Sequence, residues 1–329
     1  MRIVFFGTPD FAVVTLQELL NDNHHEVLGV VTQPDKRRGR GNKMIPSPVK
    51  TVALAHNLSV WQPARLKRDL NTLDILQQLE ADVFVVVAYG QILSPQILQM
   101  PKYGCINVHG SILPAYRGAA PIQWSIYHGE AETGVTTMLM DKGMDTGAML
   151  LKATTPITLF DNADSLGARL AVVGAGLLLE TLAKLPEITP IPQDDSLATY
   201  ARLITKDDYV IDWSKSALAI HQQISAFYPN GVTSWRTQPL KITQSLPLSE
   251  IVNINLPPHL EKLSAYLQGM ESWRGKMGEV VKIIKNIGMV VATGAGLLLI
   301  LEVQPAGKKT QSAWSFANGN RLEIGEIMN

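Results

Sequence analysis

The sequence predicts two domains: an α/β domain built on a parallel sheet, followed by a smaller domain made mostly of β-strands. Three observations support this prediction. The chain has 329 residues, whereas single domains cluster at about 100–150 residues. Its first half alternates short apolar runs with helical patterns, which is typical of α/β folds. Its last part carries short strand-like runs separated by glycines, which is typical of a small barrel or sandwich.

The first half of the chain alternates strand-like and helix-like patterns. Apolar runs predict strands at residues 3–6, 26–32 and 83–88. Apolar residues at helical spacing predict helices at residues 11–20 and 73–79. The Val-rich runs have no polar face, which favours parallel strands covered by helices on both sides. Ligands of such sheets bind beyond the carboxyl ends of the strands. The residues expected at those ends are Gly7, Tyr89, Gly90, Asn107 and His109.

A proline-rich segment separates the two predicted domains. An apolar helix is predicted at residues 166–185, and Pro186, Pro190 and Pro192 follow it. Proline at this density cannot continue a helix and favours an extended linker. We therefore expect the first domain at residues 1–188, the linker at residues 189–205 and the second domain at residues 206–329. Strands of the second domain are predicted at residues 240–243, 278–284, 288–292 and 297–303.

Charge and cysteine content exclude several classes of protein. Lys plus Arg and Asp plus Glu number 29 each, so a nucleic-acid partner would need a local basic patch. Cys105 is the only cysteine, which excludes a disulfide within the chain and a zinc site of several cysteines. The segment 1–14 lacks the features of a signal peptide. The apolar stretch 289–301 is shorter than the roughly 20 residues that a membrane span needs. We therefore expect a cytoplasmic protein without a membrane partner.

Three polar residues form the candidate catalytic group. Asn107 and His109 lie two positions apart at the end of an apolar run, so both side chains point to the same face of a strand. Asp145 follows in the glycine-rich sequence MDKGMDTG. An amide, an imidazole and a carboxylate can polarise a carbonyl group and move a proton. The spacing leaves a structural alternative open, in which Asn107 and Asp145 cap turns and a main-chain carbonyl satisfies His109.

The sequence offers no nucleophile of its own beside these residues. Ser111 does not lie in a GxSxG motif, and Cys105 lies within an apolar strand where a thiolate would be costly. We therefore expect the substrate to bring the nucleophile. An HExxH motif and clustered carboxylates are also missing, which argues against a metal site. Gly7 alone is not a GxGxxG motif, and we interpret it as a tight turn that lets a ligand approach the backbone.

A basic run, KRRGRGNK, follows the second predicted strand. It has two interpretations: a solvated surface loop, or a flexible loop that binds the phosphates of a nucleic acid. Its charged residues are Lys36, Arg37, Arg38, Arg40 and Lys43.

Several long segments together resemble one known family. These segments are FFGTPDFA, VTQPDKRRGRGNKMIPSPVK, DVFVVVAYGQIL, GCINVHGSILPAYRGAAPIQW, AETGVTTMLMDKGMDTGAML and VQPAGKK. Over nearly its whole length the chain resembles the methionyl-tRNA formyltransferases, which belong to the folate-dependent formyltransferase family. The resemblance implies a Rossmann-like formyltransferase domain followed by an OB-like β-barrel that binds tRNA.

The resemblance also implies the reaction and the site residues. A formyl group would pass from 10-formyltetrahydrofolate, used as co-substrate without a metal, to the α-amino group of initiator methionyl-tRNA for translation initiation. By the match of motifs, Asn107, His109 and Asp145 occupy the family's catalytic positions. The folate-binding positions are Ser111, Ile112, Leu113 and Pro114. The basic run matches the segment that contacts the acceptor arm of the tRNA, and we expect the protein to act as a monomer.

Three alternatives and two departures from the family pattern stay open at this point. The acceptor could be a glycinamide nucleotide or an amino sugar, the enzyme could hydrolyse formyltetrahydrofolate, or the chain could bind RNA without catalysis. Ala115 stands where the family often has Arg or Lys. The stretch 244–276 is longer than its family counterpart, and the sequence suggests no function for it.

Overall fold

A computed structural model describes residues 1–38, 43–251, 256, 258–267 and 269–329 of the chain. Contacts between these residues form two compact units. The first unit comprises Met1–Pro121, Glu132–Pro156 and Leu166–Arg202. The second unit comprises Ile122–Ala131, Ile157–Ser165 and Leu203–Asn329.

The first unit is built on a seven-stranded sheet with the order β10-β9-β7-β6-β1-β2-β5. Its strands are β1 (Arg2–Gly7), β2 (Glu26–Val31), β5 (Val60–Trp61), β6 (Val83–Val87), β7 (Cys105–His109), β9 (Glu132–Leu139) and β10 (Met149–Pro156). Short strands outside this sheet are β3 (Lys36–Arg38), β4 (Lys43–Ile45), β8 (Arg117–Gly118) and β11 (Tyr200–Ala201).

The central strands of this sheet are parallel and buried. β1 pairs in parallel with both β2 and β6, and β6 pairs in parallel with β7. Every residue from Ile3 to Phe6 has an exposed fraction of 0%, because helices cover both faces of a parallel sheet. From β1 the chain builds β2 and β5 on one side, and it then crosses to β6 and β7 on the other. This reversal of strand order is that of a Rossmann-like fold, as predicted, and ligands bind where it occurs.

The helices are α1 (Asp10–Asn21), α2 (Pro48–Ala55), α3 (Leu70–Gln78), α4 (Pro95–Leu98), α5 (Pro121–Tyr127), α6 (Ala163–Lys184), α7 (Ala217–Ala226), α8 (Ser264–Leu267) and α9 (Ala313–Gly319). Three of them, α1, α3 and α6, agree with the predicted ones within a few residues. Within the described residues α6 is the one helix long and apolar enough to cross a membrane, and half of its most apolar window is buried in the protein. Thr181 of α6 hydrogen-bonds to Thr137 of β9, with 2.8 Å between the hydroxyl oxygens, so this helix packs on the sheet.

The second unit contains a separate antiparallel sheet. Its strands are β12 (Val232–Trp235), β13 (Gln238–Pro247), β14 (Val280–Ile284), β15 (Gly288–Ala292), β16 (Leu297–Pro305) and β17 (Gln311–Ser312). They follow the order β12-β13-β16-β15-β14, and β17 pairs with β16. The last residues of the chain connect the two outer strands, because Met328 bridges Trp235 and Ile327 bridges Glu279. This connection closes the sheet, in agreement with the predicted small barrel.

The stretch 244–276, for which the sequence suggested no function, contributes apolar residues to this unit. Two separate apolar clusters pack on the sheet. One contains residues of the helices α7 and α9. The other contains residues of the long stretch, namely Leu246, Leu248, Ile251, Leu260 and Leu263, packed against Val281, Val290 and Leu299. The stretch therefore covers apolar residues of the strands that would otherwise face water.

The proline-rich segment predicted as a linker makes backbone contacts within the first unit. Ile191 forms a β-bridge with Met149, and β11 pairs in parallel with β8. Up to Arg202 the segment clusters with the first unit. The boundaries that we assigned to the two domains stay predictions.

Candidate functional site

Asn107 and His109 lie at the carboxyl end of β7. Asn107 is opposite Val86 of β6 and Met138 of β9, and His109 is opposite Thr136 of β9. Since side chains alternate along a strand, both residues project from the same face, as the sequence predicted. His109 is buried and Asn107 is half-buried.

Asp145 lies in the loop between β9 and β10, and its side chain reaches both residues. Asn107 Nδ2 donates a long hydrogen bond of 3.4 Å to Asp145 Oδ1. The other carboxylate oxygen, Oδ2, is 3.7 Å from His109 Nδ1 and accepts a 2.8 Å hydrogen bond from the backbone N–H of Gly118. The structure thus brings together the amide, the imidazole and the carboxylate that the sequence singled out.

The second ring nitrogen of His109 has a main-chain partner. His109 Nε2 is 3.0 Å from the carbonyl oxygen of Tyr116. A carbonyl oxygen only accepts hydrogen bonds, so Nε2 carries a hydrogen and donates it. In the structural alternative left open by the sequence, a main-chain carbonyl satisfies His109. That contact is present, and a carboxylate also lies beside the other nitrogen of the same ring.

A glutamine and an arginine, neither of which the sequence reasoning identified, hold the Asp145 loop. Gln193 Nε2 donates 2.8 Å hydrogen bonds to the carbonyl oxygens of both Asp145 and Gly147. Arg117 Nε donates a 2.9 Å hydrogen bond to Gln193 Oε1. Arg117 lies in a segment that carries the family resemblance, YRGAAP, and this could have marked it as a site residue. Gln193 lies in the proline-rich segment, which we interpreted only as a linker.

The segment from Ser111 to Pro114 has a firmly held backbone beside this site. Thr136 Oγ1 donates to the Ser111 carbonyl at 2.7 Å and accepts from the Leu113 N–H at 3.0 Å. Lys152 Nζ donates to the Leu113 carbonyl at 2.6 Å, and partial burial lowers the pKa of this lysine. Ser111 and Leu113 are fully buried. The side chains of Ile112 and Pro114 stay half-buried and so keep some accessible surface.

Cys105 is placed where it cannot act as a nucleophile at neutral pH. Its side chain is buried at the start of β7, and burial raises the pKa of the thiol to about 12. A thiol with that pKa stays protonated, so it lacks the thiolate that attacks carbonyl carbons. Within the described residues we find no group of three or more His, Cys, Asp or Glu that could hold a metal ion.

The basic run forms a two-stranded ribbon, so the prediction of a loop is wrong for the residues at its two ends. β3 and β4 pair antiparallel, with Lys36 opposite Ile45 and Arg38 opposite Lys43. We call the two paired strands, Lys36–Arg38 and Lys43–Ile45, the basic ribbon. Strands of three residues are too short to show an alternating pattern, which explains why the sequence did not reveal them. Lys36, Arg37 and Lys43 are exposed, and Arg40 lies outside the described residues.

Three side chains connect the segments at the base of the basic ribbon. Lys50 Nζ donates to Asp35 Oδ2 at 2.8 Å and to Gln62 Oε1 at 2.7 Å. Gln62 Nε2 donates to Asp35 Oδ1 at 2.7 Å. The hydrogen bonds from Gln62 and Lys50 lower the pKa of the Asp35 carboxyl group. Asp35 directly precedes the ribbon, so this ring fixes the point where the ribbon leaves the sheet.

Comparison with known families finds two matching domain models. The model described as "Formyl transferase" matches residues 1–182. The model described as "Formyl transferase, C-terminal domain" matches residues 203–321. Together the two models cover most of both units.

Two full-length relatives carry the same name. A protein of Trichormus variabilis named "Methionyl-tRNA formyltransferase" is 63% identical over 330 residues, covering 100% of this chain and 99% of the relative. A protein of Trichodesmium erythraeum with the same name is 63% identical over 329 residues, covering 99% of this chain and 98% of the relative.

Solved structures share the fold at much lower identity. An N-formyltransferase of Helicobacter canadensis, in complex with folinic acid and dTDP-3-aminofucose, aligns with a TM-score of 0.63 and 20% identity, covering 92% of this chain and 98% of that one. HypX of Aquifex aeolicus, in complex with tetrahydrofolic acid, aligns with a TM-score of 0.64 and 14% identity, covering 99% of this chain and 48% of that one. At these identities the likeness concerns the fold alone.

Proposed function

The chain belongs to the formyl transferase family, and on that premise we propose that Asn107, His109 and Asp145 carry out its reaction. The chain transfers a formyl group from 10-formyltetrahydrofolate to the α-amino group of initiator methionyl-tRNA, for translation initiation. Full-length relatives with 56% to 63% identity support this assignment. The chemistry requires no protein nucleophile, because the amine of the aminoacyl ester attacks the formyl carbon.

One observation carries the proposed site: an amide, an imidazole and a carboxylate converge at the carboxyl end of β7. The carboxyl ends of parallel strands are where such folds bind ligands. A neutral formyl group needs hydrogen-bond donors for its oxygen and a proton acceptor near its carbon. These three side chains supply both within one small volume.

Asn107 provides the donor for the formyl oxygen in this proposal. Its amide nitrogen carries two hydrogens, and one points towards Asp145 Oδ1, 3.4 Å from Asn107 Nδ2. The second hydrogen donates to the formyl oxygen as negative charge develops there. A preorganised donor of this kind lowers a barrier by about 3 kcal/mol.

Asp145 and His109 handle the proton. Asp145 Oδ2 accepts the proton of the attacking amine, and the N–H of Gly118 holds the same oxygen in place through its hydrogen bond. The separation of 3.7 Å between Asp145 Oδ2 and His109 Nδ1 is longer than a hydrogen bond. A bridging water joins the two atoms and relays the proton, and N10 of the folate takes up a proton as its bond to the formyl carbon breaks.

We assign the formyl donor to the segment from Ser111 to Pro114. Its backbone is held by Thr136 and Lys152, so it presents a fixed surface. Because Ser111 and Leu113 are fully buried, the accessible side-chain contacts fall to Ile112 and Pro114, with the backbone supplying polar groups. Ser111 acts indirectly, since its hydroxyl donates to the Ala115 carbonyl at 2.6 Å.

We assign the tRNA to the basic ribbon and the second unit. The exposed Lys36, Arg37 and Lys43 suit contacts with phosphates, and the same run of the sequence also contains Arg38 and Arg40. The chain acts as a monomer in the cytoplasm without a membrane. The proposal that the chain does not enter a membrane is supported by α6, which packs against the sheet. At Gly174 of this helix, any larger side chain would come into contact with Val108 and Val135.

A panel of acceptors tests this proposal. Purified protein and 10-formyltetrahydrofolate are incubated with methionyl-tRNA, a glycinamide nucleotide, an amino-sugar nucleotide or buffer alone. We expect formylation of methionyl-tRNA only, measured as transfer of a labelled formyl group to each acceptor and as labelled formate released in buffer. Uncharged tRNA is the matched control for the amine. Comparable formylation of a small amine, or equal release of formate in buffer, would contradict the assignment of the acceptor.

A further inference from the structure

Asp145 has a backbone conformation that most residues other than glycine seldom adopt. Its φ of +55° lies in the left-handed region, which aspartate tolerates better than most residues do. A relaxation of this loop would move the carboxylate away from Asn107 and His109. The groups that hold the loop therefore decide where the carboxylate lies.

Gln193 makes the side-chain contacts that span the loop backbone at Asp145. Its Nε2 donates to the carbonyl oxygens of Asp145 and Gly147, both at 2.8 Å. One amide thus uses both of its hydrogens on two carbonyl groups that are two residues apart. This arrangement fixes two peptide groups of the loop, Asp145–Thr146 and Gly147–Ala148.

Arg117 determines which way the Gln193 amide faces. Its Nε donates to Gln193 Oε1 at 2.9 Å, and a guanidinium has no acceptor. The oxygen of the amide must therefore face Arg117, and the nitrogen must face the loop. Arg117 is itself 1% exposed, and it also donates to Asp195 Oδ1 at 2.8 Å. Its neighbour Gly118 donates to the Asp145 carboxylate, so one short segment supports both the backbone and the side chain of Asp145.

We propose that Gln193 is a positioning residue for the reaction: its amide, oriented by Arg117, holds the Asp145 backbone so that the carboxylate faces Asn107 and His109. Gln193 acts through Asp145 and contacts no substrate. This inference rests on the catalytic role proposed above for Asp145. It gives the proline-rich segment, which carries Gln193, a part in the chemistry of the first unit.

A double-mutant cycle between Gln193 and Asp145 tests the inference. We expect Gln193→Ala to lower kcat by about 100-fold, the cost of a displacement near 1 Å at a catalytic group. The KM for methionyl-tRNA and for the formyl donor stays within about twofold, because neither substrate touches Gln193. In an Asp145→Asn background the same change has little further effect, since the group that it positions no longer works.

The chain offers a matched control in the second unit. Gln223 Nε2 also donates to two carbonyl oxygens two residues apart, those of Asp208 and Val210, both at 2.8 Å. We expect Gln223→Ala to lower the melting temperature without lowering kcat. Gln193→Glu provides a second variant of nearly native size, and it loses kcat like Gln193→Ala because a carboxylate cannot donate to the two carbonyls.

The outcomes separate the two hypotheses. If Asp145→Asn leaves kcat near that of the unmodified protein, the proposed site is wrong. If Asp145→Asn lowers kcat but both Gln193 variants retain it, only the positioning role is overturned. Equal losses from Gln193→Ala with and without Asp145→Asn would also overturn it, because they would show an effect independent of the carboxylate.

Discussion

The proposed catalytic cluster, formed by Asn107, His109 and Asp145, differs from the basic ribbon in how its side chains are held. The side chains of His109 and Asp145 are 6% and 15% exposed, and hydrogen bonds from backbone and side-chain groups fix the loop around them. The charged residues Lys36 and Lys43 of the ribbon are exposed. The ribbon is anchored at its base, by the ring of Asp35, Lys50 and Gln62.

Because of this difference, we expect the two regions to depend on different interactions: the cluster on directional hydrogen bonds, and the basic ribbon on charges exposed to water. Hydrogen bonds away from water are strong and directional, so the cluster depends on positions to within a fraction of an ångström. Charges in water act over a Debye length of about 8 Å at physiological salt, so the ribbon tolerates displacement but is screened by ions. Chemistry should therefore be sensitive to geometry, and binding of the tRNA should be sensitive to salt.

The largest expected effect comes from removing a donor of the cluster. Asn107→Ala deletes the amide that we assign to the formyl oxygen, and we expect kcat to fall by about 100- to 1000-fold. Steady-state formylation of methionyl-tRNA at several salt concentrations measures this. The loss should be the same factor at every concentration, because no exposed charge is removed. If the loss of kcat disappeared at low salt, Asn107 would act in binding the tRNA. The expected difference between the cluster and the basic ribbon would then not hold.

The sequence predicted much of the cluster because its signals are local. The apolar runs of β1, β6 and β7 report burial on both faces, and the interval between Asn107 and His109 places them on one face of a strand. That Asp145 lies beside these two residues was inferred from the chemistry of the residue types. The contact forms because a loop 38 positions further along the chain folds back towards Asn107.

Other features could not be predicted because they depend on contacts distant in sequence. Arg117 and Gln193 are separated by 76 positions, and no periodicity reports such a pairing. The closure of the antiparallel sheet by Ile327 and Met328 is likewise set by tertiary contacts. The basic ribbon was interpreted as a loop because its strands are too short to carry a pattern.

Removing charges from the basic ribbon should change the KM for methionyl-tRNA and not kcat, and this effect should be smaller than that of Asn107→Ala. We expect Lys36→Gln with Arg37→Gln to raise the KM for methionyl-tRNA on the order of tenfold and to leave kcat unchanged. The slope of log binding constant against log salt should fall by about one unit for each phosphate that the ribbon no longer neutralises. Fluorescence anisotropy with labelled methionyl-tRNA over a salt series measures the binding constant and its slope, and steady-state formylation measures the KM.

The matched control for this prediction is a second Lys-Arg pair. Lys67 and Arg68 are adjacent, exposed and in the same unit, so Lys67→Gln with Arg68→Gln removes the same charge elsewhere. We expect that pair to change neither the KM nor the salt slope. If both double variants weakened binding equally, the tRNA would respond to net charge and the ribbon would have no special role.

The smallest expected effect concerns a second buried histidine, and it tests whether burial alone marks a catalytic group. As whole residues, His221 and His109 are both 5% exposed. Nε2 of each lies near a backbone carbonyl, that of Leu159 for His221 at 2.9 Å and that of Tyr116 for His109 at 3.0 Å. They differ at Nδ1, which lies near the hydroxyl of Ser245 in one case and near the Asp145 carboxylate in the other. Partner chemistry, rather than burial, therefore distinguishes the two.

Burial lowers the pKa of His221 from its ordinary 6.5 to about 4. Between those values the unfolded chain binds a proton that the folded chain does not, so stability is complete above pH 6.5 and falls as the pH drops towards 4. The full loss is on the order of 3 kcal/mol in the free energy of unfolding. Urea unfolding of the full chain at pH 7 and pH 5 measures most of it, with the exposed His56→Gln as control. We expect His221→Gln to flatten the pH dependence and to leave kcat at pH 7 unchanged, whereas a large loss of kcat would mean that this histidine shares in the chemistry.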